Sequence, residues 1–197
     1  FTHGGNSITL GGDIVNYSTN TQTLNIGMTL SGNRTFNVQA GQLIVAGVVT
    51  DGANTWQILK EGPGLLALRG ANTFDGGMVI NSGSVGVSRS AGTSTNLGSG
   101  TITINQGGIL RLGHSVTSNA NSTTTPNNIV LAGGSIHVDD AYQHLTGTLD
   151  VTAGGNLGST YNSGANTSGE RDKGLFLDGI VTGSGNLNVF HTGISTG

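Results

Sequence analysis

Cysteine is absent, so neither a disulfide framework nor a thiolate metal site can hold this chain together. Proline occurs twice and aromatic residues make up 5% of the sequence. Charged residues make up only 9%, where an ordinary globular domain has about a quarter. The 7 lysines and arginines are too few to neutralise a run of phosphates or to hold an anionic membrane surface. No apolar run is long enough to cross a bilayer, and no signal peptide stands at the start. The chain opens on Phe1, which predicts a processed chain or one cut from something longer.

What remains is glycine, 36 residues of it, among Asn, Ser, Thr and β-branched side chains. Disorder would suit the polar part, but disordered chains lack β-branched residues and carry strong net charge. This one is 34% hydrophobic with a formal net charge of -3, and its Val, Ile and Leu fall in short alternating runs. That alternation predicts β-strands, and the glycine content argues against helix.

The strands recur. Ile8 to Ile14, Phe36 to Val45, Ile80 to Val87, Ile102 to Leu112 and Ile129 to Val138 each read as a short strand, a glycine corner and a second short strand. Weaker copies run from Leu149 to Leu157 and from Leu175 to Val181. With Gly12, Gly41, Gly62, Gly83, Gly108, Gly134, Gly155 and Gly179 as corner markers, the period is about 21 to 29 residues, inside the solenoid range. Short strands cannot bury enough surface alone, so successive coils must share a core. The fold expected is all-β, a single right-handed parallel β-helix, or β-solenoid, over residues 1–197. It has roughly eight coils and, at ~4.8 Å per strand, a rod of about 40 Å. A sandwich wants a buried aromatic anchor, and a propeller blade needs four strands per repeat. Leucine-rich repeats require helical spacing between strands. The Asn- and Thr-rich stretch from Ser118 to Asn128 is expected to be an insertion at a corner.

The segment 62–112 carries a more specific pattern. Gly62-Pro63-Gly64 leads into Leu65-Leu66-Ala67-Leu68, then Gly70-Ala71-Asn72-Thr73-Phe74, a Gly76-Gly77 corner, and Ile80, Gly83 and Val85, with Leu97-Gly98-Ser99-Gly100 beyond. It resembles the autotransporter-associated β-strand repeat of bacterial passenger domains. Met78 stands where threonine is commoner and Val85 where leucine is. The resemblance covers about a quarter of the chain strongly. It implies a right-handed parallel β-helix exposed outside the cell, with Gly64, Leu66, Leu68, Gly70, Asn72, Phe74, Gly76 and Gly77 as structural motif positions and no catalytic residue to carry over. No series of alternating segments of about ten residues suggests a membrane barrel. Gly193-Ile194-Ser195-Thr196-Gly197 reads as the opening of another repeat, and bare solenoid ends invite stacking of further copies.

Parallel β-helices include polysaccharide lyases and hydrolases, so the carboxylates are the candidates for chemistry. Asp139 and Asp140 are adjacent and, if extended, point to opposite faces; Asp178 sits in a Leu-Asp-Gly-Ile corner where aspartate caps turns. No two carboxylates recur at coil spacing, whereas glycosidic cleavage needs a pair across a groove. The histidines are His3, His114, His137, His144 and His191. His137 and His144, with Asp139 and Asp140 between them, match no zinc spacing and read as a solvent-facing loop, with calcium at the aspartates a remote alternative. Glu170-Arg171-Asp172-Lys173 reads as an exposed loop. Thr21-x-Thr23 and Thr101-x-Thr103 are too irregular for an ice-binding ladder.

The sequence therefore predicts a non-catalytic structural or adhesive protein, secreted or on a bacterial surface, without catalytic residues, bound metal or cofactor. Its expected partners are further copies at the solenoid ends and a surface glycan or protein, with no nucleic acid and no membrane insertion. The alternative is a polysaccharide-cleaving enzyme using Asp139, Asp140 or Asp178.

Overall fold

The structure, a computed structural model, describes residues 1–89, 92–116, 122–161 and 174–193. Among them every regular element is a β-strand and every strand pairing is parallel, as a solenoid demands. One side is a nine-stranded sheet running from Thr2–Gly4 to Leu187–Gly193, and a second is an eight-stranded sheet from Ile14–Asn16 to Val181–Thr182. The third side is split. Three strands, Ile8–Leu10, Met28–Leu30 and Val49–Thr50, form one short sheet, and Gly92–Thr93, Ser122–Thr125, Tyr142–Leu145 and Gly174–Leu177 form another.

Alternation puts every second side chain inside, and register stacks like on like. In the nine-stranded sheet Leu43, Leu66, Val85, Leu110, Ile136 and Leu157 form one buried row, and Val45, Leu68, Val87, Leu112 and Val138 the next. Opposite them stand Ile58, Met78, Ile102, Ile129 and Leu149. Each such side chain contributes about 1.5 to 3 kcal/mol by leaving water. About six turns make up the solenoid, slightly fewer than the roughly eight coils expected. The outermost strands gain cover on one side only, and every residue of Thr2–Gly4 and Val181–Thr182 is exposed.

The corner markers belong to two different corners. Gly41, Gly62, Gly83, Gly108, Gly134 and Gly155 all lie where the chain passes from the eight-stranded to the nine-stranded sheet. Gly12 and Gly179 lie where it enters the eight-stranded sheet from the third side. This explains the longest interval, from Gly12 to Gly41. At Gly41, with φ +54°, a Cβ would stand 2.6 Å from the carbonyl oxygens of Ser18 and Thr19 in the coil before, so the stacked corner admits no side chain. Gly12 has nothing within 4 Å.

The motif segment fills the gap between the two short sheets, where residues 69–77 form no strand. Asn72 and Phe74 point inward; the asparagine accepts from Val49 N at 2.8 Å through Oδ1 and donates to Asn96 O at 2.6 Å through Nδ2. One side chain thus does for two coils what a strand's backbone would do. Asn96 repeats the device by donating to Gly70 O at 2.8 Å, and Asn127 by donating to Gly100 O at 2.9 Å.

One expectation fails at residues 118–128. Ser122–Thr125 is a strand and not a corner insertion, with Thr123 and Thr125 buried, while residues 118–121 lie outside the described residues. Glu170 to Lys173 and residues 194–197 lie outside them too.

Candidate functional site

The outward row of the nine-stranded sheet changes character along its length. Ile44, Ala67 and Gly86 are followed in register by Arg111, His137, Gly158 and Phe190. The two glycines leave notches, and each is roofed by a ring. His114 covers Gly86, whose Cβ would stand 2.7 Å from His114 Cδ2, and Phe190 covers Gly158, whose Cβ would stand 2.9 Å from Phe190 Cε1.

A bulge places the first ring. The register of Gly83–Arg89 against Gly108–Val116 jumps after Val87↔Leu112 to Ser88↔Ser115, so Gly113 and His114 are extra. A bulge re-aims side chains locally, and Gly113 takes the φ of +73° that it requires. His114 Nδ1 then lies 2.8 Å from Asp139 Oδ2, the oxygen that Arg111 Nε approaches at 2.9 Å without aiming its N–H at it. His137 stands edge-on to Phe190 with ring centroids 5.2 Å apart. Burial holds the His137 imidazole below its ordinary pKa, Asp139 opposing and Arg111 adding to the effect.

Around the next corner the outer face of the four-stranded sheet carries a second cluster. Register sets His144 opposite Phe176 and Tyr142 opposite Gly174. His144 and Phe176 stack at 4.7 Å with 9° between planes, and Tyr142 meets Phe176 at 5.7 Å and 69°. His144 Nδ1 lies 2.6 Å from Asp178 Oδ2. The corner between the clusters, Asp139-Asp140-Ala141, holds Ala141 at φ +57°, the sole positive value outside glycine among the described residues. Asp140 Oδ1 accepts from Ala141 N at 2.8 Å, and Gln143 Nε2 donates to Asp140 O at 2.8 Å, so the strained turn is pinned from two directions.

The sequence cluster of His137, Asp139, Asp140 and His144 is therefore taken apart. His137 and His144 lie on different sheets, Asp139 serves Arg111 and His114, and Asp178 serves His144. No group of three His, Asp or Glu side chains suited to a metal ion occurs among the described residues. Asp139 and Asp178 sit on different sides of the rod and are each matched with a base, an arrangement unlike a carboxylate pair across a groove. His3 packs edge-on to Phe1 at 4.5 Å, away from both clusters.

The threonine pairs noticed in the sequence form no continuous ladder: Thr23 stands between Thr2 and Ile44, and Thr103 between Val79 and Val130. A row does exist elsewhere, Thr9, Thr29 and Thr50 in register on the three-stranded sheet, and it is one residue wide. A cavity of about 550 Å³, partly open to solvent, is lined by Val138, Leu157, Leu175, Leu177, Val189 and Phe190.

No protein-family model, curated protein or solved structure matches this chain.

Proposed function

We propose that the chain is a non-catalytic structural or adhesive β-solenoid of a secreted or surface-exposed bacterial protein, akin to the autotransporter-associated repeats. It works by length, stiffness and repetitive contact. The observation that supports this reading most is the nine-stranded parallel ladder with its rows of identical burial, a geometry that yields a stiff spacer with repetitive faces. The commitment of Asp139, Asp140 and Asp178 to partners within the fold favours contact over turnover.

Copies stacking through their solenoid ends would extend the rod into an extracellular filament, since an outermost strand presents unpaired N–H and C=O groups to a further strand. Electron microscopy of the purified chain at high concentration tests this. Fibres with a rise per copy near ~40 Å are the outcome for a filament. Isolated short rods would mean that the chain acts as one segment of a longer stalk, and round particles would overturn the solenoid reading of its function. Turnover of any polysaccharide by the purified chain would overturn the non-catalytic part.

A further inference from the structure

We infer that the outer face of the four-stranded sheet, at Tyr142, His144, Phe176 and Asp178, is a binding site for a neutral oligosaccharide. The inference rests on the adhesive half of the function proposed above, and it assigns that function a place and a ligand chemistry.

Aromatic residues are scarce here, 5% of the chain, and apolar side chains of a solenoid belong inside, where Phe36 and Phe74 are fully buried. Phe176 is instead 43% exposed, on a strand whose alternation leaves Leu175 and Leu177 for the interior. Its ring is not loose. His144 lies flat against it at 4.7 Å, Tyr142 meets it edge-on, and the strand register fixes all three. A rigid, partly solvated aromatic surface on a sheet loses little conformational entropy on meeting a ligand. The CH-bearing face of a pyranose is a partner of matching size and polarity for it.

Hydroxyl recognition is supplied beside the rings. Asp178 spends Oδ2 on His144 and has a side chain 45% exposed, so Oδ1 is left to accept from a sugar hydroxyl. Holding the carboxylate through one oxygen orients the other, as a built recognition group requires.

The charge pattern selects neutral over anionic sugars. Among the described residues the Arg111 guanidinium is matched by Asp139 and Asp178 is paired with His144, so neither pair brings surplus positive charge. A uronate or sulfated chain would meet the Asp178 carboxylate and be repelled.

The test is isothermal titration of the intact chain with maltohexaose, cellohexaose and a chitin hexamer, with oligogalacturonate as the anionic comparison. Binding of at least one neutral hexamer is expected, weakened about tenfold or more by Phe176→Ala and by Asp178→Asn, and unchanged by Tyr17→Ala, an exposed aromatic far along the rod. Circular dichroism of each variant confirms that the sheet persists; Phe176→Leu serves if the alanine variant unfolds, and it too should weaken binding. No binding to any neutral hexamer up to millimolar concentration, equal binding in Phe176 and Asp178 variants, or preference for oligogalacturonate would each overturn the proposal. The rod reading stands or falls separately, by electron microscopy.

Discussion

Lys60 is the residue whose placement is least expected from its chemistry. Register sets it in the buried row between Phe36 and Ile80, with no exposed surface, in a position held by Ile104 and Leu131 farther along. Its Nζ donates to Glu61 O at 2.8 Å, Gly62 O at 2.7 Å and Ser82 O at 3.0 Å. Three acceptors match the three N–H groups of an ammonium, so the buried charge is fully hydrogen-bonded. Burial nevertheless pushes its pKa down to about 8, against the opposing charge of Glu61. A folded pKa below the unfolded one means that the unfolded chain binds more protons between the two values, so stability rises with pH across that window. The wild type should therefore gain stability relative to Lys60→Met as pH goes from 8 to about 10. Urea unfolding at both pH values checks this, and parallel behaviour of the two proteins would refute it. Lys60→Ala, which opens a cavity and strips three carbonyls of their donor, should cost roughly 3 kcal/mol or more.

Glycine offers a second contrast at this scale. Gly62 has φ +78°, and a Cβ there would stand 2.7 Å from Asn37 Oδ1 and closer still to Val38 O. Gly62→Ala should cost about 2 kcal/mol or more, whereas Gly12→Ala, in open space, should change stability by less than about 0.5 kcal/mol. Equal effects in thermal unfolding would show the two corners to be equivalent after all. Sequence spacing treats both as corner markers because a glycine gives no hint of whether its missing side chain faces another coil or water.

At the scale of elements, the third side carries the irregularity. Where residues 69–77 make no strand, buried asparagines replace ladder hydrogen bonds; on the outside, Asn81 bridges Glu61 and Asn105, with hydrogen bonds of 2.6 Å to each. Asn72→Ala leaves Val49 N and Asn96 O unpaired in a dry interior and should cost about 2 to 3 kcal/mol. Asn81→Ala, half-exposed, should cost less than about 1 kcal/mol. Comparable costs in denaturant titrations would remove the special role of the inner asparagine. Period-two alternation made strands such as Ile102–Asn105 legible, since its apolar positions Ile102 and Ile104 fall on one face. Ser122–Thr125 was illegible for the same reason: four hydroxyl residues have no apolar period, and only packing reveals that Thr123 and Thr125 face inward.

For the whole molecule, contacts run between neighbouring coils, so stability is close to a sum of coil and interface terms. Central coils, covered on both sides, should open last. Hydrogen exchange is expected to be slowest in Leu65–Leu68, Gly83–Arg89 and the paired part of Gly108–Val116, and fastest in Thr2–Gly4 and Val181–Thr182. Uniform protection along the rod would mean all-or-none unfolding instead.

The sequence by itself determined the parallel solenoid, because a short apolar alternation repeated at coil spacing has no other way to bury its strands. Tertiary structure decided what depends on register between coils: that Lys60 is inside, that Asp139 meets His114 and Asp178 meets His144, and that Phe176 stands outside against His144. Those partners lie more than twenty residues apart, and a shift of one residue in strand pairing would turn each to the opposite face.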